Sequence, residues 1–222
     1  MATVKVLLPH VTIIGVGGMG SRIAEAIVRM SYASEGLKLS LVDPDCFEEK
    51  NLANQYLDRT WIGKQKVDAV AHQLHCIDHE LDINVYPYEM DETVPLSPIV
   101  FMCLDSMDAR KEIMEELLEN DPSVQCVIET RLDSGVGISH CFDPRNQVHQ
   151  DCWWLYWHRD EEAENTVGCG GHHSVISAVY GTAMLALRQF EQFLSKQTTH
   201  GLANRVYQDF DHFECRSEVW PT

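Results

Sequence analysis

Two groups of residues have the types and spacing that nucleotide chemistry needs. The first is Gly15-Val-Gly-Gly-Met-Gly20-Ser21, set between the apolar run His10-Val-Thr-Ile-Ile14 and a segment with Ile23, Ile27 and Met30 on one helical face. Gly15 can take a tight turn, Gly17 lets backbone approach a phosphate, and Gly20 permits close helix–sheet packing, with Gly18 counted in the same nucleotide-binding loop. The helix start offers free N–H groups and a partial positive charge to an anion. The second is Asp43, which ends the next apolar run, where a carboxylate accepts from ribose hydroxyls. The plainer reading is a turn that merely needs glycine, and a dehydrogenase would share both features.

These residues stand at the ends of elements that alternate along the chain. Strands are expected at 10–14, 39–42, 83–86, 99–104 and 124–128. Helices are expected from about Met19, at about 63–77 with Val67, Val70, Ala71 and Leu74 on one face, and over Met107–Asn120, stopped by Asn120-Asp-Pro122. Residues 44–61 have no period and form a long loop, suspect for function on that ground. The alternation defines an α/β chain, Rossmann-like and doubly wound, with a mainly parallel sheet. Beyond residue 130 the pattern changes. Gly135–Phe142 alternates beside the turn cluster at 143–146, which predicts an antiparallel extension. The aromatic run Cys152-Trp-Trp-Leu-Tyr-Trp157 reads either as core or as a docking groove. A long C-terminal helix is expected at about 173–196, with Ile176, Val179, Ala183, Leu187, Phe190 and Leu194 facing a core.

Composition narrows the function classes. Asp and Glu number 34 against 17 Lys and Arg, a net charge of −17, which excludes a phosphate-tracking nucleic-acid binder but not a local anion pocket. Cys103 and Cys126, among eight cysteines, sit inside apolar runs as small hydrophobes. The opening MATVKVLLPH lacks the signs of a secretory leader, and Val175–Leu187 is broken by Ser177, Gly181 and Thr182. The expectation is a reduced, cytoplasmic protein that engages neither membrane nor nucleic acid.

Four ordered motifs then go beyond a bare glycine loop. They are the loop itself, Asp43-Pro-Asp-Cys-Phe-Glu-Glu-Lys-Asn51-Leu-Ala-Asn-Gln55, Gly63-Lys-Gln-Lys66, and Cys103-Leu-Asp105-Ser106. Together they resemble the ThiF/MoeB superfamily of ubiquitin-activating-like adenylyltransferases, whose pattern is GxGGxGS, D-x-D-x-(V/F)-x-x-x-N-L-x-R-Q, G-x-x-K and C-x-D-(S/N). The match covers about residues 10–130 and continues more loosely to about 195. The resemblance implies that ATP activates the C-terminal carboxylate of a small ubiquitin-like or sulfur-carrier protein. It also implies a homodimer and a single adenylation domain over 1–222, with a nucleotide half at about 10–130 and a partner-binding and dimerisation half at about 131–222. Asp43 would hold the ribose, and Asn51 and Gln55 would bond phosphates or order the loop. Lys66 would stabilise phosphate charge as a point donor, and Asp105 would position Mg²⁺ through oxygen ligation. Ser21 would cap the helix and face the nucleotide. Asp45, Asn54 and Leu104 complete the cofactor-binding set, although Asp45 with Glu48-Glu49-Lys50 also reads as solvated loop.

The chain departs from that pattern at Asn54, where the family has an arginine whose charge an amide cannot replace. Arg59 in the same loop and Arg22 after the glycine turn are the nearest substitutes, and Arg110 and Arg131 are further cations at this end. Arg131 would meet a partner carboxylate, a phosphate or a surface salt bridge. Cys169, flanked by Gly168, Gly170 and Gly171 and near His172 and His173, is the candidate for a transferred thioester. Cys152, Cys169, His172 and His173 have zinc-ligand types but irregular spacing, and zinc is not expected. Two rivals stay beside the adenylation reading: an ATP-binding pseudoenzyme or heterodimer subunit, and an NAD-dependent oxidoreductase.

Overall fold

The computed structural model describes residues 6–7, 9–31, 34–55, 57–133, 135–160 and 176–221. Five strands form the parallel part of the main sheet: β1 (His10–Ile14), β2 (Lys38–Val42), β3 (Asp82–Tyr86), β4 (Ile99–Met102) and β5 (Cys126–Asp133). Three antiparallel strands extend it: β6 (Val136–Phe142), β7 (Arg205–Asp209) and β8 (Glu214–Glu218). The order across the eight strands is β8-β7-β6-β5-β4-β1-β2-β3.

The apolar runs fold this way because alternate side chains enter two different cores. Val11 and Ile13, Leu39 and Leu41, Ile99 and Phe101, Cys126 and Ile128 pack on one face. They meet α1 (Gly18–Ser31), α2 (Lys66–Ile77) and α5 (Ile176–Lys196) there. Ile14, Val42, Val100, Met102 and Val127 enter the other face. They meet α3 (Met107–Ile113), its π-helical continuation Met114–Leu118, and Trp153 of α4 (Gln147–Trp154). A strand buried on both faces reads as a continuous hydrophobic run, which is why this half was visible in the sequence.

The antiparallel part differs in detail from expectation. The hairpin turns between Asp133 and Val136, with Gly135 at φ +101°. Residues 143–146 instead start α4, where the Asn146 side chain accepts from the amides of Val148 and His149. Most of the aromatic run therefore lies in or just after a short helix. Trp153 is fully buried and its indole N–H donates to Glu129, while Trp154, Tyr156 and Trp157 are half-buried around it. The core reading fits these residues; Leu155 between them is exposed. The long helix is not the last element, since the β7–β8 hairpin follows it. Cys126 and Cys141 stand with their sulfurs 3.5 Å apart, free thiols under α5, and burial pushes Cys126 well above the ordinary thiol range. No described helix is long and apolar enough to cross a membrane.

Candidate nucleotide site

The sheet changes direction between β1 and β4. The chain winds from β1 through β2 to β3 and then returns to β4 on the far side of β1. In open α/β sheets ligands bind outside the carboxyl ends of the strands at such a switch point. The glycine turn leaves β1 there, Asp43 ends β2, and Cys103-Leu104-Asp105 leaves β4.

The glycine turn is sterically obligatory at two places. Gly15 has φ +85°, and a Cβ there would lie 2.7 Å from the carbonyl oxygen of Cys103. A Cβ on Gly20 would lie 1.9 Å from the carbonyl oxygen of Gly15. At Gly17, by contrast, the nearest atom would be Gln55 Nε2 at 3.7 Å, so that face of the turn is open to an incoming group. Ser21 is buried, and its hydroxyl donates back to the carbonyl of Gly17 at 2.7 Å. It therefore does not cap the helix as expected, and the first amides of α1 stay available to an anion.

Asp43 ties two strands together. Its Oδ2 accepts the Val16 amide of the glycine turn at 2.8 Å, and its Oδ1 accepts the Asp45 amide at 2.9 Å. Burial pushes its carboxyl above the ordinary range, against the opposing pull of Lys66 and those amides. Lys66 opens α2, is nearly buried, and places Nζ 2.6 Å from Asp45 Oδ2 and 3.9 Å from Asp43 Oδ1. An isolated bridge between Cys46 and Gln65, and the Lys66 amide bonded to the Asp45 carbonyl at 2.9 Å, set this approach.

The long loop is less irregular than its sequence suggested, because it winds through two short 3-10 turns, Glu49–Ala53 and Arg59–Trp61. Asn51 is buried and accepts the Glu48 amide at 2.9 Å in a reciprocal cap, so its side chain orders the loop. Asn54 lies against the start of α1, with its Cγ 3.8 Å from where a Gly18 Cβ would stand. Gln55 is buried beside Gly17, and its Oε1 has no protein partner among the described residues. The amide that borders the open glycine through its Nε2 thus keeps a spare acceptor, which a ligand-bearing crevice can use. Arg59 turns outward to Glu49 at 2.6 Å.

On the β4 side, Asp105 is exposed at the strand end and Leu104 is half-buried. Ser106 caps α3, accepting the Ala109 amide at 3.0 Å, so capping falls to Ser106 and leaves the Asp105 carboxylate out of it. Asp160 also rests on this helix start, accepting from Ser106 Oγ at 2.7 Å and the Met107 amide at 2.6 Å. Burial alone would raise its carboxyl, but these bonds hold it below the ordinary range.

Two expected site cations are committed elsewhere. Arg110 is buried, pairs with Glu129 at 2.7 Å, and donates to the carbonyls of Leu104 and Thr130. Arg131 pairs with both oxygens of Glu129 and donates to the Tyr156 carbonyl at 2.6 Å. Glu129 is thus a fully buried hub, which the sequence reading missed although an acid inside the run Val-Gln-Cys-Val-Ile-Glu was a visible signal. Burial alone would raise its carboxyl, but Arg131 and Arg110 hold it well below the usual range. His140 Nδ1 lies 2.9 Å from Glu129, yet burial takes this imidazole down to about 4, outweighing the upward pull of Glu129 with help from the charges of Arg131 and Arg205. Cys169, His172 and His173 lie outside the described residues, and with them the thioester and zinc readings. Among the described residues no group of three or more His, Cys, Asp or Glu is arranged to hold a metal ion.

The sheet order and this switch-point crevice define a Rossmann-like α/β protein with a glycine turn at the switch point. The chain belongs to the ThiF family, whose pattern matches residues 3–216. It is 29% identical over 119 residues to ubiquitin-like modifier-activating enzyme 5 of Bombyx mori, covering 46% of this chain and 29% of that protein. The fold matches E. coli MccB with a TM-score of 0.70 at 16% identity, over 98% of this chain and 63% of MccB. It matches PaaA with a TM-score of 0.68 at 18% identity, over 98% of this chain and 73% of PaaA. The chain therefore spans under a third of the length of the first relative and under two thirds of MccB.

Proposed function

We propose that the chain is an adenylyltransferase that uses ATP to activate the C-terminal carboxylate of a small ubiquitin-like or sulfur-carrier protein. The observation that carries this reading is the meeting of the glycine turn, Asp43 and Lys66 at one switch point, with Asp43 bonded to Val16 and Lys66 within 3.9 Å of Asp43. Family membership supports it, as does MccB, which has been solved with ATP and with MccA.

Each group has a physical task. Asp43 accepts from the ribose while tying the turn to β2. The turn and the start of α1 give amide donors to the phosphates, with Gly17 leaving the space. Lys66 leaves Asp45 for the α-phosphate, where negative charge builds as a carboxylate oxygen attacks phosphorus. The bond from phosphorus to the bridging oxygen breaks, pyrophosphate leaves with the electron pair, and an acyl-adenylate remains. Both reactants are anions, so neutralisation and alignment do more here than proton transfer. Asp105 would hold Mg²⁺, an ion that neutralises phosphate charge and orients the leaving group when bound. Asn51 and Gln55 order the loop against the turn, Asp45 holds Lys66 before the nucleotide enters, and Leu104 borders the crevice.

The partner is a protein with a glycine carboxyl terminus, the enzyme works as a homodimer in the reducing cytoplasm, and residues 1–222 act as one adenylation unit. The second reading, a nucleotide-binding subunit without turnover, is favoured by the neutral Asn54 against Gly18. Equilibrium titration with ATP, AMP and NADH tests the nucleotide class. ATP–Mg²⁺ binding that Lys66→Ala weakens is the expected result, and NADH binding with no affinity for ATP overturns it.

A further inference from the structure

We propose that Asp160 is a positioning residue for the Asp105 carboxylate: it takes the backbone amide onto which Asp105 would otherwise fold back, and so leaves that carboxylate free for Mg²⁺. The inference rests on the ATP–Mg²⁺ reading above. A single carboxylate fits that ion, which is commonly held by one or two carboxylates together with substrate phosphates and water.

An aspartate just before a helix has a local alternative to any ligand. Its side chain bonds readily to the backbone N–H two residues on, closing an Asx turn. For Asp105 that amide belongs to Met107, the first residue of α3. Here the position is filled from 53 residues away, because Asp160 Oδ1 accepts the Met107 amide at 2.6 Å. Its Oδ2 accepts the Ser106 hydroxyl at 2.7 Å and the Asp108 amide at 3.4 Å. The Ser106 oxygen, its own proton so engaged, accepts the Ala109 amide at 3.0 Å. The first three amides of α3 are thus satisfied without Asp105, which stays exposed.

The aromatic run supplies the reach. Trp157 donates its indole N–H to the Met107 carbonyl at 2.9 Å, so Met107 is gripped at both of its backbone groups. Trp157 meets Trp154 edge-on at 5.9 Å, and Trp154 meets Trp153 edge-on at 4.7 Å. Trp153 is fully buried and bonded to Glu129. A packed series of rings therefore delivers Asp160 to the turn between β4 and α3, and a stretch of sequence that the nucleotide reading left unused gains a task there.

Calorimetric titration of the full chain with ATP, once with Mg²⁺ and once with EDTA, tests this. The quantity to follow is the gain in ATP affinity on adding Mg²⁺. Asp160→Ala should cut that gain by roughly tenfold or more, the worth of the charge-assisted hydrogen bond that Asp105 then makes to the freed Met107 amide. Affinity in EDTA should stay within about twofold. Asp160→Asn keeps an acceptor for that amide and should behave as the wild type. Met107→Pro removes the amide at a helix position that tolerates proline, after a Ser106 already extended at φ −85° and ψ 127°. Alone it should keep the gain, and added to Asp160→Ala it should restore it, which a merely structural role for Asp160 does not allow. An undiminished gain in Asp160→Ala, equal weakening with and without Mg²⁺, or a gain lost in Met107→Pro overturns the assignment while the ATP reading stands. A wild-type chain that binds no ATP, or whose ATP affinity is indifferent both to Mg²⁺ and to Asp105→Ala, overturns both.

Discussion

The carboxylate of Asp43, at the end of β2, accepts the backbone N–H of Val16 in the turn that leaves β1, at 2.8 Å. One side chain thereby fixes the distance between the phosphate turn and the ribose position, and does so with a group that burial has already made reluctant to ionise. Asp43→Asn keeps an oxygen for Val16 but loses half the acceptor capacity and the charge facing Lys66. Affinity for ATP and for AMP should fall together by about tenfold, the worth of one charged hydrogen bond. The melting temperature should move by only a few degrees. Calorimetry of both nucleotides checks this, and a loss confined to ATP would contradict the ribose assignment.

The glycine turn yields a matched pair of expectations. Gly20→Ala puts a methyl 1.9 Å from a backbone oxygen that cannot swing aside, so it should destabilise by about 3 kcal/mol or more. Gly17→Ala meets nothing closer than 3.7 Å and should fold normally, while filling the space a phosphate needs. Urea unfolding and ATP titration of the two variants should therefore separate: one loses stability, the other only the ligand.

Acid should destabilise the fold through His140. Its folded pKa is about 4, against 6.5 when exposed, so the folded state holds it neutral. Above pH 6.5 both states are unprotonated and its contribution is complete. As pH falls from 6.5 to 4, the unfolded chain takes up a proton that the folded one refuses, and stability drops by about 1.4 kcal/mol per pH unit. Glu129, held well below its ordinary value of 4.5, adds a further loss as pH falls below that value, where the unfolded chain takes up a proton that the folded one refuses. Unfolding free energies at pH 7 and pH 5 should differ by about 2 kcal/mol less in His140→Phe than in the wild type. An unchanged difference would place the titration elsewhere.

Arg110 is a structural residue despite standing near the site. Arg110→Met would leave the Glu129 carboxylate buried with one guanidinium and would free two carbonyls. A loss of about 3–5 kcal/mol is expected from breaking such a buried pair. Chemical denaturation measures it, and a loss below about 1 kcal/mol would show that Arg131 alone suffices.

The first half of the chain was legible because its strands are buried on both faces and its turn needs glycine. Val11, Ile13 and Ile14 announce a strand whichever face they enter. β7 and β8 were not legible, since Arg-Val-Tyr-Gln-Asp and Glu-Cys-Arg-Ser-Glu lie at the polar margin of the sheet and leave no apolar run. The helix α4 was hidden by an aromatic run whose order carries no clean period. In the site, Asp43 and the glycines could be read from their place between strand and helix, and Lys66 only through the family resemblance, while the expected capping role of Ser21 failed because a hydroxyl that bonds back to its own helix looks identical in sequence to one that caps it. The Glu129 hub stayed invisible for a different reason: its partners come from α3, from β5 itself, from β6 and from α4, and no local pattern links them.

ATP–pyrophosphate exchange tests the central claim most directly. With Mg²⁺ and a small protein ending in Gly-Gly, the wild-type chain should move labelled pyrophosphate into ATP. Lys66→Ala and Asp105→Ala should each abolish that exchange without lowering the melting temperature by more than a few degrees. Tight ATP binding with no exchange for any partner carrying a free terminal glycine carboxylate would contradict it, and would leave the chain a nucleotide-binding subunit.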